Sequence, residues 1–134
     1  MSESTKKGPG AIVWQDLTVP DAVAVKDFYA KVVGLKTSSV DMGGYSDFNL
    51  HRPDTGDVIA GVCHAKGPNT GLPPQWLLYM MVEDVDAAAA KTLEMGGEIV
   101  SGPKDMGKDR MVVIKDPAGA AIALYQSAKA SAQA

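Results

Sequence analysis

Residues 52–61 read RPDTGDVIAG and residues 115–124 read KDPAGAAIAL, and the second stretch lies 63 residues after the first. Gly56 falls on Gly119 and Ile59 on Ile122. Working outward at the same offset, Val19-Pro20-Asp21 falls on Val82-Glu83-Asp84, and Gly34 on Gly97. Few residues are identical. The order of structural signals repeats with them, however, and self-similarity at a fixed spacing marks a duplicated supersecondary unit.

Each half reads the same way. A strand comes first, Ala11–Val19 and then Trp76–Val82. Asp21 and Asp84 follow as N-caps, because a short carboxylate accepts from the unpaired N–H groups of a first helical turn. The helices span Asp21–Val33, with Val25, Phe28, Tyr29 and Val32 on one stripe, and Val85–Met95. Gly34 and Gly96-Gly97 end them. Three strands close each half: about Lys36–Val40, Tyr45–His51 and Asp57–His64, then Glu98–Ser101, Arg110–Lys115 and Ala120–Gln126. The Gly- and Pro-rich Ala65–Pro74 is the linker. The expected fold is α+β, with two βαβββ modules in one chain forming a curved mixed sheet around a cleft. Residues 10–127 make a single domain, with module one at 10–65, the linker at 66–74 and module two at 75–127. Residues 1–9 and 128–134 read as solvated tails. One helix covers one face of a four-stranded sheet, and the other face is the place for a small-molecule pocket.

Composition narrows the function. The chain has 134 residues, 46% hydrophobic and 22% charged, which fits a globular domain and excludes wholesale disorder. Thirteen Lys and Arg against sixteen Asp and Glu leave a net charge of −3 and no basic excess for a nucleic acid. Two His and one Cys cannot supply the four ligands of a closed zinc site, and Cys63 alone cannot form an internal disulfide. The polar start MSESTKKGPG has no apolar signal region, and the longest apolar run, Trp76–Val82, is far shorter than a membrane span. A cytoplasmic protein without a membrane partner is the default expectation.

The paired modules, the Asp-started helix carrying FY-x-x-x-x-G (Phe28, Tyr29, Gly34) and the closing DP-x-G-x-x-I-x-L (Asp116, Pro117, Gly119, Ile122, Leu124) resemble the vicinal oxygen chelate superfamily. That superfamily contains glyoxalase I, bleomycin- and fosfomycin-resistance proteins and extradiol dioxygenases. The resemblance covers about residues 10–126. W-x-D-L-x-V-x-D (14–21) and W-x-x-Y-x-x-V-x-D-V-D (76–86) are similar to a glyoxalase-like subgroup within it. It implies a small-molecule ligand and a homodimer. Metal-bearing members place His, Glu or Gln on the first strand of each module, seven residues before the helix-starting Asp, and on the last strand, before the Leu of I-x-L. Those positions map to Trp14, Leu77, Ala60 and Ala123. None has a lone pair for a metal. A one-residue slip brings in only Gln15 as a donor, on the other face of its strand. The expectation is no metal site and no cofactor.

Strand alternation then assigns the faces. Trp14, Asp16, Thr18, Val58, Ala60, Val62, Leu77, Tyr79, Met81, Ala121, Ala123 and Tyr125 are expected toward the cleft, with Tyr45, Asp47, Asn49, Arg110 and Val112. Cys63 is expected on the helix side, and His51 and His64 at the surface or at strand ends. Trp14, Asp16, Tyr45, Asn49, Leu77, Tyr79, Arg110 and Tyr125 are the candidate ligand-binding residues. Trp14 reads equally well as core filling, and Arg110 as a solvated loop-end residue. The segment 102–109 reads either as a lid or as a solvated connection. The first functional reading is a metal-free protein binding a small, partly apolar organic molecule in an aromatic cleft. The alternatives are a metal-independent enzyme using Asp16 and a tyrosine for proton transfer, and a metal-dependent lyase or dioxygenase, against which the missing ligands argue. No nucleophile–base pair is evident, which favours binding.

Overall fold

A computed structural model describes residues 8–128, with eight strands and two helices: β1 (Ile12–Val19), α1 (Ala22–Val33), β2 (Lys36–Asp41), β3 (Ser46–His51), β4 (Val58–His64), β5 (Trp76–Met81), α2 (Val85–Glu94), β6 (Glu98–Met106), β7 (Asp109–Lys115) and β8 (Ala121–Gln126). The fold is α+β, and each half is βαβββ as the sequence predicts. Most bounds fall within a residue of expectation. The exception is β6, which runs on to Met106 and pairs with β7 through Met106↔Asp109. The segment 102–109 is therefore largely the end of a β-hairpin. The expected tails, 1–9 and 128–134, fall mostly outside the described residues.

The chain divides into two compact units. One is Gln15–Trp76, with strand order β2-β3-β4-β1; the β1–β4 pair is parallel and the others antiparallel. The other joins the residues up to Trp14 to those from Leu77 on, with strand order β5-β8-β7-β6 and a parallel β5–β8 pair. In the second unit Gly10 N donates to Met81 O, and Met81 N to Ala11 O.

The two helices start alike. Asp21 Oδ1 accepts from Ala24 N and Asp84 Oδ1 from Ala87 N, both at 3.1 Å. Such caps contribute about 1 kcal/mol each. Gln126 Oε1 takes a further first-turn donor, Val85 N, at 2.7 Å. Each helix packs on one face of its own sheet. Under α1 lie Leu17, Val19, Phe48, Leu50, Ala60 and Val62, with Ala22, Val25 and Tyr29 from the helix. Under α2 lie Val112, Ile114 and Leu124, with Val85 and Ala89 from the helix. Phe28 and Val32, expected on the packed stripe, are instead 55% and 65% exposed.

The constant offset does not survive along the whole chain. Asp16 and Tyr79 are 63 apart, but their partners Gly61 and Ala123 are 62 apart. Leu50 and Ile114 are 64 apart, and their partners Ala60 and Ile122 are 62 apart. The cause is local: β4 bulges between its pairings with Leu50 and His51, and Ile59 is the extra residue. One inserted residue reverses every later side chain on a strand. Ala60 and Val62 therefore lie under α1 and not on the opposite face, while Gly61 and Cys63 take the places expected for them. On β7, Arg110 and Val112 likewise lie on the α2 side, and Met111 and Val113 on the other.

Candidate functional site

In the unit Gln15–Trp76 the sheet face away from α1 carries Asp16 and Thr18 from β1, Asp47 and Asn49 from β3, and Gly61 and Cys63 from β4, as the pairs Asp16↔Gly61, Thr18↔Cys63 and Asn49↔Gly61 require. Thr18 and Asp47 are both buried. Asp47 Oδ1 accepts from the His64 backbone N–H at 2.8 Å, which compensates a carboxylate held out of water. His64 ends β4, a strand end as expected, and is buried there: its Nδ1 lies 3.1 Å from Ser46 O and 3.5 Å from Asp47 Oδ1.

Cys63 sits among these acids. Burial, then the charges of Asp16 and Asp47, push its thiol up to about 12. A raised thiol pKa stabilises the fold only while the unfolded thiol is also protonated. That contribution is complete below about pH 9 and is lost as pH rises toward 12. Native Cys63 should carry roughly a thousandfold less thiolate at pH 8 than the unfolded chain. A thiol reagent should therefore label it readily only in denaturant. Equal rates in both states would contradict this placement.

In the other unit the face away from α2 carries Leu77, Tyr79 and Met81 from β5, Ala123 and Tyr125 from β8, and Met111 and Val113 from β7. Leu77, Met81, Met111, Val113 and Ala123 are buried. Tyr79 and Tyr125 are half-buried polar groups on this apolar surface. The Tyr125 hydroxyl donates to Asp109 Oδ2, and Asp109 Oδ1 accepts from Ala128 N at 2.9 Å. Burial, with the Asp109 hydrogen bond and charge, pushes Tyr125 up to about 12. Near neutral pH its phenol is thus a fixed donor rather than a base.

Five of the eight candidate residues stand where alternation predicts, on the face opposite the helix of their own unit: Asp16, Asn49, Leu77, Tyr79 and Tyr125. Trp14 shares the strand parity of Asp16 on β1 but falls in the unit of α2. Tyr45 and Arg110 depart from the prediction. Tyr45 precedes β3, and its ring packs edge-on against His64 at 5.8 Å. Arg110 donates through Nε and Nη2 to both carboxylate oxygens of Asp86 at 2.9 Å, and through Nη1 to Asp105 at 2.9 Å. It ties the β6–β7 hairpin to the first turn of α2. Cys63, expected on the helix side, lies instead on the face away from α1, the converse of Ala60 and Val62. The Gly61–Cys63 alternation would have revealed it only with the bulge at Ile59 known.

The chemistry of the metal positions can now be tested. With β4 read in its true register they are Trp14, Gly61, Leu77 and Ala123. An indole N–H, a glycine and two hydrocarbon side chains offer no ligand atom, so the residues present do not fit the family's metal. Among the described residues, no three His, Cys, Asp or Glu group to hold an ion. No helix among them is long and apolar enough to cross a membrane.

The chain belongs to the Glyoxalase/Bleomycin resistance protein/Dioxygenase superfamily, whose family model matches residues 11–124. It is 34% identical to the anthracycline biosynthesis protein DnrV of Streptomyces peucetius over 138 residues, covering 91% of this chain and 49% of that protein. It is 33% identical to the anthracycline biosynthesis protein DauV of Streptomyces sp. strain C5, with the same coverage. The chain thus spans about half the length of these relatives. Among solved structures it is similar to methylmalonyl-CoA epimerase from Mycobacterium tuberculosis, with a TM-score of 0.57 and 17% identity, covering 96% of this chain and 95% of that one. A superfamily member from Vibrio splendidus 12B01 aligns with a TM-score of 0.55 and 13% identity over 85% and 97% of the two chains. At these identities the structural likeness speaks for the fold alone.

Proposed function

We propose that this superfamily member binds a small, partly apolar organic molecule without a metal and acts as a homodimer. The observation that carries the reading is the donor set at the family's metal positions: Trp14, Gly61, Leu77 and Ala123 supply none. The sheet faces left uncovered by the two helices support it. The face in the unit from Leu77 on is rich in Tyr and Met side chains, suited to apolar contact, and the face in the unit Gln15–Trp76 carries Asp16, Thr18, Asn49 and Asp47, suited to polar groups. Tyr125, committed to Asp109 and raised to about 12, argues against its use in proton transfer near neutral pH. The similarity to two anthracycline biosynthesis proteins favours a planar aromatic ligand class for the first screen.

Elemental analysis and Trp14 emission test the reading together. Dialysed, untagged protein is expected to hold well under one transition metal per chain. A planar aromatic ligand is expected to quench Trp14, since stacking on an indole brings the rings into contact. Trp14→Phe should remove the ligand-linked signal and Trp76→Phe should leave it, because Trp76 Nε1 donates to Tyr29 Oη on α1 at 3.1 Å. Stoichiometric metal, or a ligand signal carried wholly by Trp76, would overturn the assignment.

A further inference from the structure

The surface of α1 carries exposed apolar side chains. Val23, Phe28, Val32 and Val33 are 47%, 55%, 65% and 59% exposed. The helix N-caps Asp21 and Asp84 set a 63-residue correspondence here, which places Lys91 opposite Phe28 and Glu94 opposite Lys31. On α2 those two residues form a solvated pair, with Lys91 Nζ 3.8 Å from Glu94 Oε2. The two copies thus differ at Phe28, which answers to Lys91, while Val32 answers to another exposed apolar residue, Met95 at 69%. Helical spacing puts Ala24, Phe28 and Val32 on one row, with Asp27 and Lys31 on the row beside it. The row is flanked by aromatic rings. Phe28 meets Tyr29 edge-on at 5.1 Å, Tyr29 meets Trp76 at 5.4 Å, and the Trp76 N–H donates to the Tyr29 hydroxyl. An exposed aliphatic row with fixed aromatics at its border is the composition of an interface core.

We propose that this face is an interface between two copies of the chain, with their α1 helices packed antiparallel about a two-fold axis near Tyr29. The inference deepens the homodimer proposed above by naming its surface. Charge complementarity identifies the second copy as the occupant. In an antiparallel two-fold pair each flank of the helix meets the same flank of its mate in reverse order. Asp27 of one copy then faces Lys31 of the other, twice, while Phe28 packs against Val32. Lys26 Nζ lies 2.7 Å from Asp27 Oδ1 and 4.9 Å from the centre of the Phe48 ring, and the Asp27 side chain stays 56% exposed beside this pairing. The row therefore complements itself in charge as well as in shape.

Sedimentation velocity of the full chain at tens of micromolar is the test. The wild type is expected near twice the 14.0 kDa chain mass. Phe28→Lys, which installs the residue α2 carries at the corresponding place, should give a monomer with unchanged circular dichroism. Asp27→Lys and Lys31→Asp should each raise the dissociation constant by roughly tenfold, since each sets like charges face to face. The double variant Asp27→Lys with Lys31→Asp should restore wild-type association. A wild-type monomer would overturn both this surface and the dimer. A dimer that persists through Phe28→Lys and ignores the charge reversals would overturn this surface and leave the dimer standing.

Discussion

Leu50→Ala is expected to destabilise the protein by about 3–4 kcal/mol and to lower its melting temperature by roughly 10 °C. Leu50 is 1% exposed and belongs to the cluster beneath α1. Its neighbours decide the size of the effect. Directly across the β3–β4 pair stands Ala60, and α1 contributes Ala22 to the same cluster. Neither methyl group can reach into the space a leucine vacates, and the other neighbour across the sheet, Thr37, belongs to the exposed edge strand β2. The vacated volume therefore stays a cavity, and a cavity adds its own cost to the lost transfer energy. Val58→Ala is the control. It removes two methyl groups from β4 at a residue that is 43% exposed, and its cost should stay below about 1 kcal/mol. Chemical denaturation of the two variants, with unchanged slopes, makes the comparison. A loss under about 1 kcal/mol at Leu50 would mean that the α1 cluster closes over the gap.

The same cluster shows how far the sequence could be read. Element order, caps and nearly every boundary followed from signals that act over a few residues: Asp at the N-caps, Gly at the helix ends, apolar alternation within a strand. Faces were legible on β1, β3, β5 and β8, where alternation runs unbroken, and so Asp16, Asn49, Leu77, Tyr79 and Tyr125 were placed on the correct side. They were illegible on β4 and β7, because both were read through a constant offset. A bulge at Ile59 and a one-residue difference in correspondence at β7 are invisible in composition, yet each exchanges the two faces of a strand. The consequences differ for the site. On β4 the exchange replaced Ala60 by Gly61, and neither binds metal, so the chemical reading is unchanged. On β7 it moved Arg110 from a candidate ligand-binding residue to a tie between α2 and a hairpin, which removes a cationic group from the expected ligand surface.

The shifting offset also decides which of two adjacent glycines is sensitive to substitution. Gly34 ends α1 with φ 86°, and the residue after α2 with the same left-handed backbone is Gly96, at φ 88°, not Gly97. Gly97 answers instead to Leu35, which packs against the α1 cluster. Gly97 is a glycine for lack of room. A Cβ there would lie 2.5 Å from Lys115 O, 2.7 Å from Thr92 Cγ2 and 3.2 Å from Thr92 O, whereas one on Gly96 would meet nothing within 4 Å. The nearest atom cannot move aside, because Lys115 is held between Glu98 of β6 and Ala121 of β8. Drawing the helix end away would break the Gly97 N–Thr92 O hydrogen bond of 2.9 Å. Gly97→Ala is therefore expected to cost about 3 kcal/mol, the upper part of the range for overpacking. Gly96→Ala meets only left-handed strain, about 1 kcal/mol, and Gly96→Asn should cost less still. Had the 63-residue spacing held through the helix end, the order would be reversed, with Gly97 the conformational glycine and Asn tolerated there. Melting curves of Gly96→Asn and Gly97→Asn separate the two cases: a Gly97→Asn protein as stable as the wild type would place the helix end one residue from where the structure has it.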